Sequence, residues 1–271
     1  MSNAIYTSIT RYYEKYARAC FNSLEKNYPN HPIVLVYANN LSEEFMGFVN
    51  TLHNFKIIPY VQFFTNNAQG PVKNDIIYNK YRLWSNEFDE YDTVLHLDVD
   101  TIVLKSLDHY FEHDDFFIIT DGLEGYSPYA FSPIDTQLKN MLSDDHIDFN
   151  VDVRTPMGNA GVFTVPKKYR TQEHLNYLIY LTERYEKYLA YADQTVLTLW
   201  CYKNKIPITK SYGCNYIPHF SSVQETYRSL ENIYLIHFAN KKPDTINFLL
   251  WNYVPSKLAQ DYADLFHKYL Y

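Results

Sequence analysis

Short runs of apolar, β-branched residues alternate along this chain with longer stretches in which apolar positions recur every three or four residues. Ala4–Ile9 predicts a strand, and the stripe Tyr13, Ala17, Cys20, Phe21, Leu24 that follows has the spacing of one helix face. Ile33–Tyr37, entered through Pro32, predicts a second strand. Ser42-Glu-Glu opens the next helix with a capping residue and two acids that suit the positive helix N-terminus. Phe55–Ile58 is a third strand, ended by Pro59. Beyond the loop Asn66–Pro71, the stripe Ile77, Tyr81, Trp84, Phe88 predicts an amphipathic helix, with Lys80 and Arg82 on its solvated side. Thr93–Leu97 and Phe116–Thr120 have the profile of strands buried on both faces. Regularity then fades over Leu123–Arg154, a segment with the length of a lid or binding loop and a weak helix signal near Gln137–Leu142. Asn159–Val165 returns to strand character. Leu175, Leu178, Ile179, Thr182, Tyr185 and Leu189 mark a helix, and Asp193 is placed to cap another over Gln194–Tyr202. Ile233–Ile236 is the last buried strand, with His237 at its end, and a closing helix carries Leu258, Tyr262, Leu265, Phe266 and Tyr269 on one face. Such alternation predicts an α/β/α layering around a mainly parallel sheet.

One strand runs straight into acids. After Thr93–Leu97 come Asp98, Val99 and Asp100. Period-two alternation sends both carboxylates to one side and Val99 to the other, at the carboxyl end of a strand where open α/β sheets collect ligands. Two converging oxygen donors suit a divalent cation. The run Asp144-Asp-His-Ile-Asp148 also mixes acids and a histidine, but its setting reads as an acidic, solvated loop.

Composition narrows the classes. The 271 residues carry a net charge of −7, and Lys and Arg are scattered, so no basic stripe exists to track a nucleic acid. Three cysteines without metal-ligand spacing read as reduced core residues. The N-terminus has no signal-peptide pattern and no apolar run has the length of a membrane span, which predicts a soluble cytoplasmic protein. With 28 Tyr and 17 Phe the chain is rich in rings that can pack a core or line a sugar site.

Five pieces in order resemble the retaining glycosyltransferase family 8, which contains glycogenin and the bacterial lipopolysaccharide galactosyl- and glucosyltransferases. They are Asn79-Lys80 through Trp84-Ser85, Leu97-Asp-Val-Asp-Thr-Ile-Val-Leu104, Asn159-Ala-Gly-Val-Phe163, Asp193-Gln194, and Ile236-His-Phe238 followed by Lys242-Pro243. The resemblance implies a single Rossmann-like nucleotide-sugar-binding domain of the GT-A type over residues 1–240. The amphipathic closing helix of the 241–271 extension suits either docking on that domain or lying on a membrane surface, and the net charge of −7 favours docking. It implies Mn²⁺, with Mg²⁺ as an alternative, held by Asp98, Asp100 and His237. It implies UDP-glucose or UDP-galactose as donor, contacted by Thr7, Tyr13, Lys80, Asp98, Val99, Asn159 and Lys242. Asp193, Gln194 and Lys80 would form the catalytic group, and a glycan, a protein or a tyrosine of the chain itself would be the acceptor. A homodimer is compatible with this reading. After His237-Phe238 the usual glycine is missing, the lysine sits one residue closer, and Asp244 stands where the family usually has Trp. An Asp-x-Asp site on a related sheet would also serve a nucleotidyltransferase, a nucleotide-sugar hydrolase or a non-catalytic donor- or glycan-binding module.

Overall fold

The computed structural model describes residues 2–60, 78–112, 114–120, 131–152, 155–208, 214–216, 233–238 and 256–271. Its centre is a six-stranded sheet of order β3-β2-β1-β4-β7-β6, built from β1 (Asn3–Thr10), β2 (Ile33–Asn39), β3 (Phe55–Pro59), β4 (Thr93–Leu97), β6 (Phe117–Thr120) and β7 (Gly158–Pro166). The first four strands pair in parallel, while β7 runs against both of its neighbours. The sheet is therefore mainly parallel, as the alternation of strands and helices predicts.

Strand alternation divides the core into two layers. Ala4, Tyr6, Leu35, Tyr37, Val94, Phe163 and Val165 belong to one apolar cluster. It is completed by α4 (Gln172–Tyr185) and α5 (Ala192–Lys203). Ile5, Val34, Val36, Leu95 and Val162 belong to the opposite cluster, with α1 (Glu14–Asn27) and α2 (Glu43–Val49). Ser42 caps α2 by accepting a hydrogen bond from Phe45 N. On the first face, α3 (Thr136–Asp144) covers the weak helix signal of the sequence and is capped by Asp135, which accepts from Leu138 N.

A second sheet of order β5-β9-β8 stands beside the first, formed by β5 (Thr101–Val103), β8 (Cys214–Tyr216) and β9 (Leu235–His237). Helix α1 braces it: Val103 N donates to Ser23 Oγ at 2.9 Å, and Asn27 Nδ2 donates to Val103 O at 2.8 Å. The last helix, α6 (Ser256–Leu270), lays Ala263, Phe266, Tyr269 and Leu270 against Ala19, Ile102, Ile236 and Phe238. Asn22 and Asn27 donate to the Tyr269 carbonyl and hydroxyl, both at 2.8 Å. The boundary expected near residue 240 and the loop Asn66–Pro71 lie outside the described residues.

Three local expectations give way. The stripe through Tyr81, Trp84 and Phe88 forms two 3-10 segments, Asn79–Trp84 and Asn86–Phe88, instead of an α-helix. Every residue from Asn79 to Trp84 is buried, Lys80 and Arg82 included, so no solvated face exists there. Arg82 pairs with Glu87 and lies over the Tyr37 ring, 4.4 Å from its centroid. The cap of α5 falls on Tyr191, and Asp193 sits in the first turn with its side chain turned to Lys80. Asp144, His146 and Asp148 are exposed, as the solvated reading of the run Asp144–Asp148 expects, but Asp145 departs from it: it accepts from Tyr180, Arg184 and Tyr185, which locks the end of α3 to α4.

Candidate active site

Strand order places the site. From β1 the chain moves outward to β2 and β3 in one direction, whereas β4 lies on the other side of β1. The crevice at the carboxyl ends of β1 and β4 is thus the topological switch point, where open α/β sheets bind ligands. Thr7 lies in β1 and Tyr13 on the turn after it, and Asp98, Val99 and Asp100 follow β4.

The acids do not continue the strand. β4 ends at Leu97, and Asp98–Asp100 form the turn into β5. Val99 is buried among Leu95, Leu97 and Val103, opposite in role to its two neighbours. Backbone bonds fix both ends of the turn: Asp98 N donates to Gly161 O of β7, and Phe238 N donates to Asp100 O, each at 2.8 Å. Antiparallel pairing of β5 with β9 sets Thr101 opposite His237. Two residues 137 positions apart from Asp100 to His237 in sequence numbering thereby meet: His237 Nε2 is 3.1 Å from Asp100 Oδ1 and 3.6 Å from Asp98 Oδ2.

One ligand atom from each of Asp98, Asp100 and His237 falls within 4.8 Å of the others. Among the described residues these three are the group whose geometry suits a metal ion. Two carboxylate oxygens and one imidazole nitrogen fit a divalent cation of the Mn²⁺ or Mg²⁺ type, with the imidazole tilting the balance toward Mn²⁺. The absence of a side chain at Gly161 makes room for the imidazole. A Cβ there would stand 2.7 Å from His237 Nδ1 and 2.9 Å from Nε2, and closer still to Cε1.

Lys80 is the hub of the neighbouring charges. Its Nζ lies 2.7 Å from Asp193 Oδ2 and 3.6 Å from Asp98 Oδ1, and it donates to Ala160 O at 2.9 Å. Burial opposes its charge, but Asp193, Asp98 and Asp100 together hold its pKa above the ordinary lysine value. Burial raises the Asp193 pKa, with the Lys80 ammonium acting against that rise. Asp98 goes the other way: burial favours its neutral form, yet Lys80, His96 and His237 keep it ionised and well below the usual carboxylate range.

The other residues named from sequence fall around this centre. Thr7 is buried inside β1, one step beyond the Tyr6–His96 pairing that ends the contact with β4, and its Oγ1 has no hydrogen-bond partner among the described residues. Tyr13 does not join the core with Ala17, Cys20 and Phe21. It is 41% exposed on the turn after β1, its ring 5.8 Å from that of Tyr16. Asn159 is buried, and its Oδ1 accepts from Gly161 N at 2.8 Å. Gln194 is half-buried beside Asp193 in the first turn of α5. Lys242 lies outside the described residues. The structure therefore links Lys80, Asp98, Asp100, Asp193 and His237 directly, and sets Thr7, Tyr13 and Asn159 on adjoining strands and turns. His96 is what sequence reasoning missed. Its Nε2 is 2.8 Å from Asp98 Oδ1, and its position as a histidine inside an otherwise apolar buried strand was the available signal.

This layered sheet, with an acidic turn at its switch point, is the GT-A fold, and the protein is a glycosyltransferase. The chain belongs to glycosyl transferase family 8, whose model matches residues 4–243. Solved structures agree on the fold. An active-site mutant of LgtC is 17% identical, with 98% of this chain and 95% of that chain covered and a TM-score of 0.66. The apo structure of the bifunctional glycosyltransferase WbbM is 17% identical with a TM-score of 0.68, covering 99% of this chain and 49% of that one. GlyE of Streptococcus pneumoniae is 16% identical with a TM-score of 0.60, covering 99% of this chain and 63% of that one. No curated protein matches the sequence. Among the described residues no helix is long and apolar enough to cross a membrane.

Proposed function

We propose that the protein transfers a hexose, glucose or galactose, from a UDP-sugar to a hydroxyl group with retention of configuration, in a reaction that depends on Mn²⁺. The observation that carries this reading is the convergence of Asp98, Asp100 and His237 at the switch point of a family 8 fold. A solved complex of galactosyltransferase LgtC with donor and acceptor sugar analogs, 19% identical with a TM-score of 0.64, covers 98% of this chain and 95% of its own, and supports the choice of donor class.

Transfer breaks the bond between the anomeric carbon and the diphosphate, and the electron pair leaves with UDP. When bound, the divalent cation supplies Lewis-acid neutralisation of the diphosphate. The chain adds the Lys80 ammonium, held buried between Asp98 and Asp193, at the place where that negative charge grows. Lys242 would grip the diphosphate from the C-terminal segment. Thr7, Tyr13 and Val99 belong to the nucleoside side of the donor and Asn159 to its sugar hydroxyls. Asp193 and Gln194 stand on the face where the anomeric carbon would lie. Asp193 is either the nucleophile of a covalent route or, with Gln194, a stabiliser of the cationic ring while the acceptor hydroxyl passes its proton to the departing phosphate. A glycan, a protein or one of the 28 tyrosines of this chain would supply the acceptor oxygen.

The test is incubation with UDP-glucose or UDP-galactose and Mn²⁺, followed by UDP release and intact mass. UDP formation that stops on chelation supports the proposal, and stepwise hexose gains on the protein would identify it as its own acceptor. Release of UMP or pyrophosphate, or no product from either donor, would overturn it.

A further inference from the structure

His96 has no place in the chemistry described so far, yet it is fully buried in the strand that delivers the acids. Its ring stacks on Phe163 at 4.8 Å and lies 6.0 Å from Tyr6, surroundings that a phenylalanine or leucine would satisfy at lower desolvation cost. Among the described residues its one hydrogen bond joins Nε2 to Asp98 Oδ1 at 2.8 Å, and Nδ1 has no partner. An ionised carboxylate only accepts, so Nε2 carries the proton and donates it. Lys80 approaches the same oxygen at 3.6 Å. The other oxygen, Oδ2, faces His237 at 3.6 Å, beside Asp100. The two oxygens of Asp98 thus have separate surroundings, one turned to buried donors of the first core layer and one turned to the ligand cluster.

We infer that His96 is a positioning residue of the metal centre, holding Asp98 by Oδ1 so that it offers a single oxygen, Oδ2, to the cation. The inference rests on the metal reading given above. An imidazole N–H is a rigid donor on a ring locked by packing, which fixes the carboxylate plane before the ion arrives; outer partners of this kind commonly change metal affinity by about 10–100-fold when removed. Geometry here carries a division of labour that the Asp-x-Asp motif alone does not specify.

The experiment compares Mn²⁺ affinity, read from the electron paramagnetic resonance of unbound Mn²⁺, in the wild type, His96→Phe and His96→Gln, with the melting temperature of each metal-free protein measured in parallel. His96→Phe keeps the stacked ring and removes the donor: it is expected to retain its melting temperature and to bind Mn²⁺ about 10–100-fold more weakly. His96→Gln returns an amide N–H near the same place and is expected to recover most of that loss. Should His96→Phe fail to fold, His96→Met replaces it as the donor-free comparison for His96→Gln. Wild-type Mn²⁺ affinity in the folded donor-free variant, or equal weakness in His96→Gln, would overturn the positioning role while leaving the metal reading intact. Absence of Mn²⁺ binding by the wild type would overturn the metal reading itself, and this inference with it.

Discussion

At the scale of single residues the site depends on where charge is held and where bulk is missing. Asp100→Asn keeps the shape of a ligand and removes its charge, so Mn²⁺-dependent UDP release is expected to fall at least about a hundredfold, the scale for losing a group that stabilises transition-state charge. Steady-state rates on the folded variant check this, and turnover like that of the wild type would contradict it. Gly161→Ala tests the space argument. Its methyl group would collide with the His237 ring, so Mn²⁺ affinity is expected to drop by about tenfold or more while the protein remains folded, and a calorimetric titration reads the change. The acidic pair, His237 and Gly161 were all legible as residue types in the chain. What was not legible was why they meet. The expectation that Asp98 and Asp100 alternate along one strand placed them on the same side for the wrong reason; they occupy a turn whose ends are tied to Gly161 and Phe238. His96 escaped because a lone histidine in an apolar strand has no spacing to mark it, and its meaning depends on the rotamer of Asp98. Lys80 reads as a surface cation from composition alone, and only the carboxylates around it make its burial tolerable.

At the scale of elements, amphipathic periodicity was informative where a helix lies flat on the sheet and silent where it does not. The stripes of α1 and α4 point inward largely as the spacing requires. The stretch Asn79–Trp84 is buried on every side, so an amphipathic reading could not anticipate its 3-10 geometry or assign it a wet face. Asp145 illustrates a junction between elements that composition hides. Burial alone would raise its pKa, but hydrogen bonds from Tyr185, Tyr180 and Arg184 hold it below its ordinary value of 3.8. A depressed folded-state pKa means that its contribution is fully present above about pH 3.8 and is lost as the pH falls through the folded value. Asp145→Asn is expected to lower stability by about 1.5–3 kcal/mol at pH 7, the range for hydrogen bonds to a charged group. It should also flatten the acid side of the stability profile, and urea midpoints taken from pH 7 downward measure both effects. Unchanged midpoints would mean that the junction contributes nothing. The seat of α6 makes a second prediction: Phe266, buried against Tyr16 and Phe238, should cost about 3–5 kcal/mol when changed to alanine. Chemical denaturation checks it, and a loss below 1 kcal/mol would mean that the helix is not held by this ring.

At the scale of the molecule, the order of strands matters more than their number. Alternating strands and helices announced a mainly parallel sheet, and the family motifs announced its kind. Local patterns could not reveal that β4 lies beside β1, that β7 runs against its neighbours, or that β5 leaves the main sheet to pair with β9, because each is set by contacts between residues far apart in the chain. Yet these pairings make the site. The switch point falls at the carboxyl ends of β1 and β4, and the small second sheet carries His237 back over Gly161 to face the acids. The most direct test is an anomalous difference map at the manganese edge, from crystals grown with UDP and Mn²⁺. A single peak bounded by Asp98 Oδ2, Asp100 Oδ1, His237 Nε2 and the diphosphate oxygens is the predicted result. Ordered UDP without such a peak, or a peak held by other residues, would contradict the account.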